Sequence, residues 1–126
     1  MGFWIYIVFT DMMIPVLMTV FGLIFMHRVP VKINSIYGYR TRRSMKNKDT
    51  WAFAHKHIAK SWLRVGIITA VLSFIILLML YGKSEETVGN IGLAVCIVQI
   101  AVMVISIIPT EVALHKTFDS DGKRRN

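Results

Sequence analysis

The sequence predicts an all-α integral membrane fold of three transmembrane helices, the second preceded by a cytoplasmic amphipathic helical extension. Three observations predict it. Hydrophobic residues make up 55% of the 126 and the mean hydropathy is +0.56, more apolar surface than a soluble domain of this size hides. The apolar residues gather into three runs, at about 3–26, 65–81 and 88–109, close to the roughly 20 residues that cross a hydrocarbon core. The charge avoids those runs. Ten Lys and Arg lie from Arg28 to Arg64, one (Lys83) lies between the second and third runs and four lie in the tail, which accounts for all 15.

The first run carries no basic n-region and no small-residue cleavage pattern, so it reads as a retained span. Asp11 and Pro15 interrupt it. A carboxylate inside a span costs about 3 kcal/mol on insertion scales, so Asp11 is expected to face protein or water. Its role stays open between a snorkelling or interhelically bonded group and a ligand- or proton-coupled one. Pro15 frees the Asp11 carbonyl from its helical partner and favours a local kink.

The connector, 27–64, begins with an extended or turning stretch around Pro30, which disfavours helix at the residue before it. Tyr37, Gly38 and Tyr39 then place a flexible backbone position between two amphipathic rings. A helix is expected to start at Ser44 or Asn47, either of which caps orphan backbone donors, with Asp49 complementing the dipole in the first turn. Asn47, Trp51, His55, Ile58 and Trp62 share one stripe at helical spacing, and Lys56, Lys60 and Arg64 form another. No breaker separates this stretch from the second run, so one long helix is expected. Gly66 and Ala70 form a small-xxx-small pair for close helix contact. A hydrophilic turn, 82–87, leads into the third run, where Gln99, Met103 and Ser106 make a mildly polar stripe suited to interhelical hydrogen bonds. The tail, 110–126, is polar with isolated apolar anchors and is expected at the surface.

Counting basic residues puts the connector and C-terminus in the cytoplasm and the N-terminus outside. The net charge of +8 reads as orientation and contact with anionic lipid, and nucleic acid is not expected as a partner. Cys96 is the single cysteine, so neither an intrachain disulfide nor a cysteine metal site is available. His55 and His57 point apart on a helix and lack the i, i+4 geometry of a metal pair. No nucleophile, base and orienter come together, so an enzyme is not expected, nor any cofactor. Arg40, Arg42, Arg43, Lys46 and Lys48 form the densest basic patch. Beside it, Asn47, Trp51 and His55 read either as a polar and aromatic pocket wall facing Arg40 or, for the tryptophans Trp51 and Trp62, as ordinary interface anchors.

Gly38-Tyr39-Arg40-Thr41, then Ser44, Asn47, Trp51 and Ala54-His55, resemble the signature of the SdpI family of small bacterial membrane proteins. Pro109-Thr110-Glu111, Leu114, Phe118-Asp119, Gly122 and Arg124 resemble its C-terminal pattern. Many relatives have proline after the Arg-Thr pair, where this chain has Arg42. The resemblance implies toxin immunity: protection of a bacterium from a secreted, membrane-active peptide, exercised in the cytoplasmic membrane. It implies as partners the bilayer and a peptide toxin, with sequestration of a cytoplasmic transcriptional regulator as the alternative. A small proton-coupled transporter using Asp11 and His55 is a weaker alternative, and three spans leave enough uncovered surface for a homo-oligomer.

Overall fold

A computed structural model describes residues 2–29, 33 and 38–125 of the chain, and those residues are all-helical apart from turns and one isolated bridge. The stretch around Pro30 and Tyr37, expected to turn, lies outside the described residues. Four helices follow in order: α1 (Gly2–His27), α2 (Lys48–Met79), α3 (Glu85–Ile105) and α4 (Ile107–Thr117). By length and apolarity α1, α2 and the combined α3–α4 segment are each able to cross a membrane.

The lipid-facing sides explain the composition. Phe9, Leu72 and Val98, on three different helices, are 70%, 57% and 61% exposed, a distribution that hydrocarbon tolerates and water does not. The inward sides are narrow. On α1 the buried residues are Asp11, Pro15, Met18, Gly22 and Phe25, an alternating spacing of four and three that keeps one seam turned toward a neighbouring helix. That neighbour is α2. A Cβ added to Gly22 would stand 2.7 Å from the Leu63 amide nitrogen, and one added to Gly66 2.9 Å from the Thr19 nitrogen, so these two glycines set how closely the backbones approach. Ala70, paired with Gly66 in the sequence reading, is half-buried.

α2 begins where expected and is continuous from the connector into the second apolar run. At the far end Trp4 donates from Nε1 to the Leu77 carbonyl at 2.8 Å, a second donor on a carbonyl that also accepts from the Leu80 amide at 3.1 Å. Leu77, Leu80 and Val88 close the hairpin to α3, which Ser84 caps by accepting from the Thr87 amide.

The tail lies at the surface for most of its length, and its apolar anchors Leu114 and Phe118 pack inward. After a break at Ser106 the chain resumes as α4, and Pro109 falls in the first turn of this new helix, where a missing N–H costs no hydrogen bond. Thr110, Leu114 and Phe118, four residues apart, are buried and present one stripe to the start of α2. Thr110 and Leu114 lie on one face of α4, and Phe118 follows in extended backbone just past its end.

Candidate functional site

The connector's described part folds as a short turn braced from three sides. Gly38 adopts φ +110, backbone that a side chain strains, and a Cβ there would meet His55 Nε2 at 2.8 Å and the Trp51 ring at 3.3 Å. The close approach requires glycine twice over. It brings the next amide into line. The Tyr39 N–H donates to His55 Nε2 at 2.9 Å, and His55 Nδ1 lies 2.8 Å from the Trp51 carbonyl. A carbonyl only accepts, so Nδ1 carries the hydrogen and Nε2 is the bare acceptor: these two partners fix His55 as one neutral tautomer. The ring is wholly buried, 4.8 Å from Phe25 and 4.2 Å from Trp51 between centroids.

Tyr39 spans from this turn to α4. Its hydroxyl donates to Glu111 Oε1 at 2.8 Å, and burial first, then the bonded Glu111 carboxylate, push the phenol far above its ordinary pKa. Tyr39 is therefore a fixed donor. Ser44, also wholly buried, donates from Oγ to the Tyr39 carbonyl at 3.0 Å and accepts from the Thr41 amide at 2.9 Å. Thr41 Oγ1 accepts in return from the Ser44 amide at 3.2 Å.

Asn47 then starts α2 as its N-cap. Its Oδ1 accepts from the Thr50 amide at 2.9 Å, and Thr50 Oγ1 accepts from the Asn47 amide at 3.0 Å, a reciprocal capping box. Its other side-chain atom is also used: Nδ2 donates to the Gly122 carbonyl at 2.7 Å. Gly122 has φ +82 and turns the tail back so that Phe118 and Arg124 pair. The Lys123 and Asp121 amides donate to Asp119 and hold its carboxyl below the usual range. Arg124 reaches Asp49 through two 2.8 Å bonds, a solvent-screened pair that adds little stability.

Asn47→Ala is expected to remove cap and tail anchor together, at about 2 kcal/mol, from a cap worth about 1 and a second hydrogen bond of similar size. Asn47→Asp keeps the acceptor and loses the Gly122 donor. About half the loss is expected, read by thermal unfolding in detergent and by proteolysis of the tail.

Of the residues singled out in sequence, Gly38, Tyr39, Thr41, Ser44, Asn47, Trp51 and His55 are thus brought together. Most of them face one another, with Thr41 at the edge of one groove and Gly38 at the edge of a cleft. Trp51, 1% exposed, is neither an interface anchor nor the wall of a cavity facing Arg40; it is core, because the turn folds over it. Arg40 is exposed, and the basic residues Arg42, Arg43 and Lys46 rim a groove of about 480 Å³ between this turn, α4 and the tail. Arg43 points across it, 3.1 Å from His115 Nδ1. On the other side, an apolar cleft of about 370 Å³ opens beside Gly38, lined by Met18, Phe25, Trp62 and Met103. Thr50 escaped the sequence reading, although its spacing from Asn47 is the signal of the capping box.

The remaining predicted residues lie elsewhere. Trp62 donates to Ser106 Oγ at 2.9 Å, and Gln99 donates to Ser73 Oγ at 2.8 Å, the interhelical bonding expected of that stripe. His57 turns away from His55 to Thr110 Oγ1, and no cluster of metal-ligating side chains occurs among the described residues. Asp11 is 4% exposed and faces protein. Fourteen residues of α1 separate it from Phe25, which touches His55, about 20 Å along the axis, with Pro15, Met18 and Gly22 packed between. Asp11 and His55 therefore share no site.

Residues 30–110 match the model of the SdpI/YfhL protein family. A relative named "Uncharacterized protein YfhL", from Bacillus subtilis (strain 168), is 32% identical over 110 residues, 87% of this chain and 90% of its own. No solved structure matches the chain.

Proposed function

The chain belongs to the SdpI/YfhL protein family, and from that premise we propose that it is an immunity protein of the bacterial cytoplasmic membrane, protecting its host from a secreted, membrane-active peptide. The observation that carries the reading is the family match across the whole braced turn and the two helices that follow it. The braced turn supports it indirectly: its signature residues are spent on each other and form a fixed frame, leaving lipid-facing surface as the place to meet a membrane-borne peptide. The apolar cleft beside Gly38 suits an apolar side chain or segment of such a peptide. In this reading the N-terminus lies outside and the basic turn, α4 and the tail lie in the cytoplasm, as the basic residues favour.

The test is expression in a toxin-sensitive strain with the protein verified at the membrane. Survival under challenge by the secreted peptide is expected. Unchanged killing at full membrane abundance would sink the reading.

The basic groove favours one second reading, a scaffold that holds a cytoplasmic regulator. Reversing its rim charges with Arg42→Glu and Lys46→Glu should then release a co-purifying soluble protein while leaving peptide protection intact. Trp51→Ala does not separate the two readings, because it removes core.

A further inference from the structure

We propose that the interior of the helical bundle binds a proton at Asp11, whose side chain resides in the folded protein as the neutral acid. Asp11 lies on the buried seam of α1, 4% exposed. Its Oδ2 is fully enclosed without a hydrogen-bond partner. What faces it is α3 at Gly92, where an added Cβ would stand 3.4 Å from Oδ2 and 2.6 Å from Ile7 Cγ2. On this side the wall is thus backbone and aliphatic carbon.

No countercharge is in reach by sequence. α1 has no other charged residue before Arg28, α2 has none between Arg64 and Lys83, and α3 has none between Glu86 and Glu111. The other titratable groups on these stretches are Tyr6 and Tyr81, both exposed, His27 at the far end of α1, and Cys96, half-buried one turn beyond Gly92. None supplies a positive charge beside the carboxyl. An ionised carboxylate that is enclosed, unpaired and without donors is among the costliest states a span can hold. Adding one hydrogen removes the charge and turns an orphan acceptor into a donor. The second enclosed atom without a partner among the described residues, Gln99 Oε1, is also an acceptor. The interior is short of hydrogens.

Ionisation would put a bare charge where Gly92 lets α1 approach α3, so loss of the proton and loosening of that contact are linked. This inference does not depend on the immunity reading and is tested on the protein alone. The full chain, with its aspartate side-chain carboxyls carbon-13 labelled, is placed in lipid nanodiscs and examined by infrared spectroscopy at neutral pH. Of the four aspartates, Asp49, Asp119 and Asp121 are exposed or nearly so and should absorb as carboxylates. Asp11 should give a protonated carbonyl band equal to one carboxyl per chain, absent from Asp11→Asn. Should that variant not fold, titration of the unaltered protein decides: one carboxyl per chain is expected to stay protonated at a pH where the other three are ionised. Four ionised aspartates at neutral pH, or a protonated band that survives in Asp11→Asn, would overturn the proposal.

Discussion

Truncating Trp51 to alanine is expected to cost about 3–5 kcal/mol, the range for removing a large aromatic from a closed core, and to free the turn at 38–47 from α2. The ring fills the space under Gly38 and stacks against His55 at 4.2 Å, so its loss empties the side of the site that the turn folds over. His55→Leu should cost about 2–4 kcal/mol with little change of volume. Its main effect is chemical: the Tyr39 N–H is buried and loses its acceptor, a penalty of about 1–3 kcal/mol. His55→Gln restores an acceptor near the position of Nε2, and about half the loss should be recovered. Thermal unfolding of the purified protein in detergent gives the order Trp51→Ala, His55→Leu, His55→Gln, and limited proteolysis should cut the turn in the same order. If His55→Gln were no better than leucine, the hydrogen bond to Tyr39 would not be what holds the turn. Trp51→Phe, which keeps most of the apolar volume, should retain both fold and membrane abundance, and is the variant with which any role of the indole in function is to be read.

The sequence made the helices legible because their signals are local. Run length marked the three spans, the polar Asn47 with Asp49 behind it marked the start of α2, and the absence of a breaker between His55 and Gly66 marked its continuity. The alignment of Asn47, Trp51 and His55 on one stripe was also readable, but not what the stripe faces. That depends on Gly38 turning the connector back over α2 and on α4 arriving from 60 residues later in the chain, neither of which any window of neighbouring residues contains. Asp11 shows the same division. Insertion cost alone says that it avoids lipid, whereas its placement against Gly92 depends on how α1 and α3 are paired. The separate helix α4 is not legible for a related reason. Proline at 109 reads as the end of a helix when the preceding run is taken as unbroken, and as the first turn of a helix once the break at Ser106 is known.

Gly22→Leu should separate α1 from α2, with an expected loss above about 3 kcal/mol, beyond the usual 1–3 kcal/mol for overpacking. The reason is what the added atoms meet. Around Gly22 the neighbours are the Leu63 nitrogen at 2.7 Å, the Ala59 carbonyl at 3.0 Å and the Leu63 Cα at 3.0 Å, all backbone, so no rotamer change relieves the contact and the helices themselves must part. Lipid offers these helices as apolar an environment as they offer each other, which leaves van der Waals fit and a few hydrogen bonds as the forces that hold them. A separation that spoils the fit along the seam from Pro15 to Phe25 therefore has little to oppose it. Gly22→Ala should show the effect at about 1–3 kcal/mol. Gly89→Ala is the control: its Cβ would meet only the Phe3 ring, at 3.4 Å, and the gain in helix propensity, about 1 kcal/mol, should leave the protein as stable or more so. Unfolding midpoints of the three variants in one detergent decide the matter. A Gly22→Leu protein as stable as Gly89→Ala would mean that the close crossing of α1 and α2 is not what holds the bundle together.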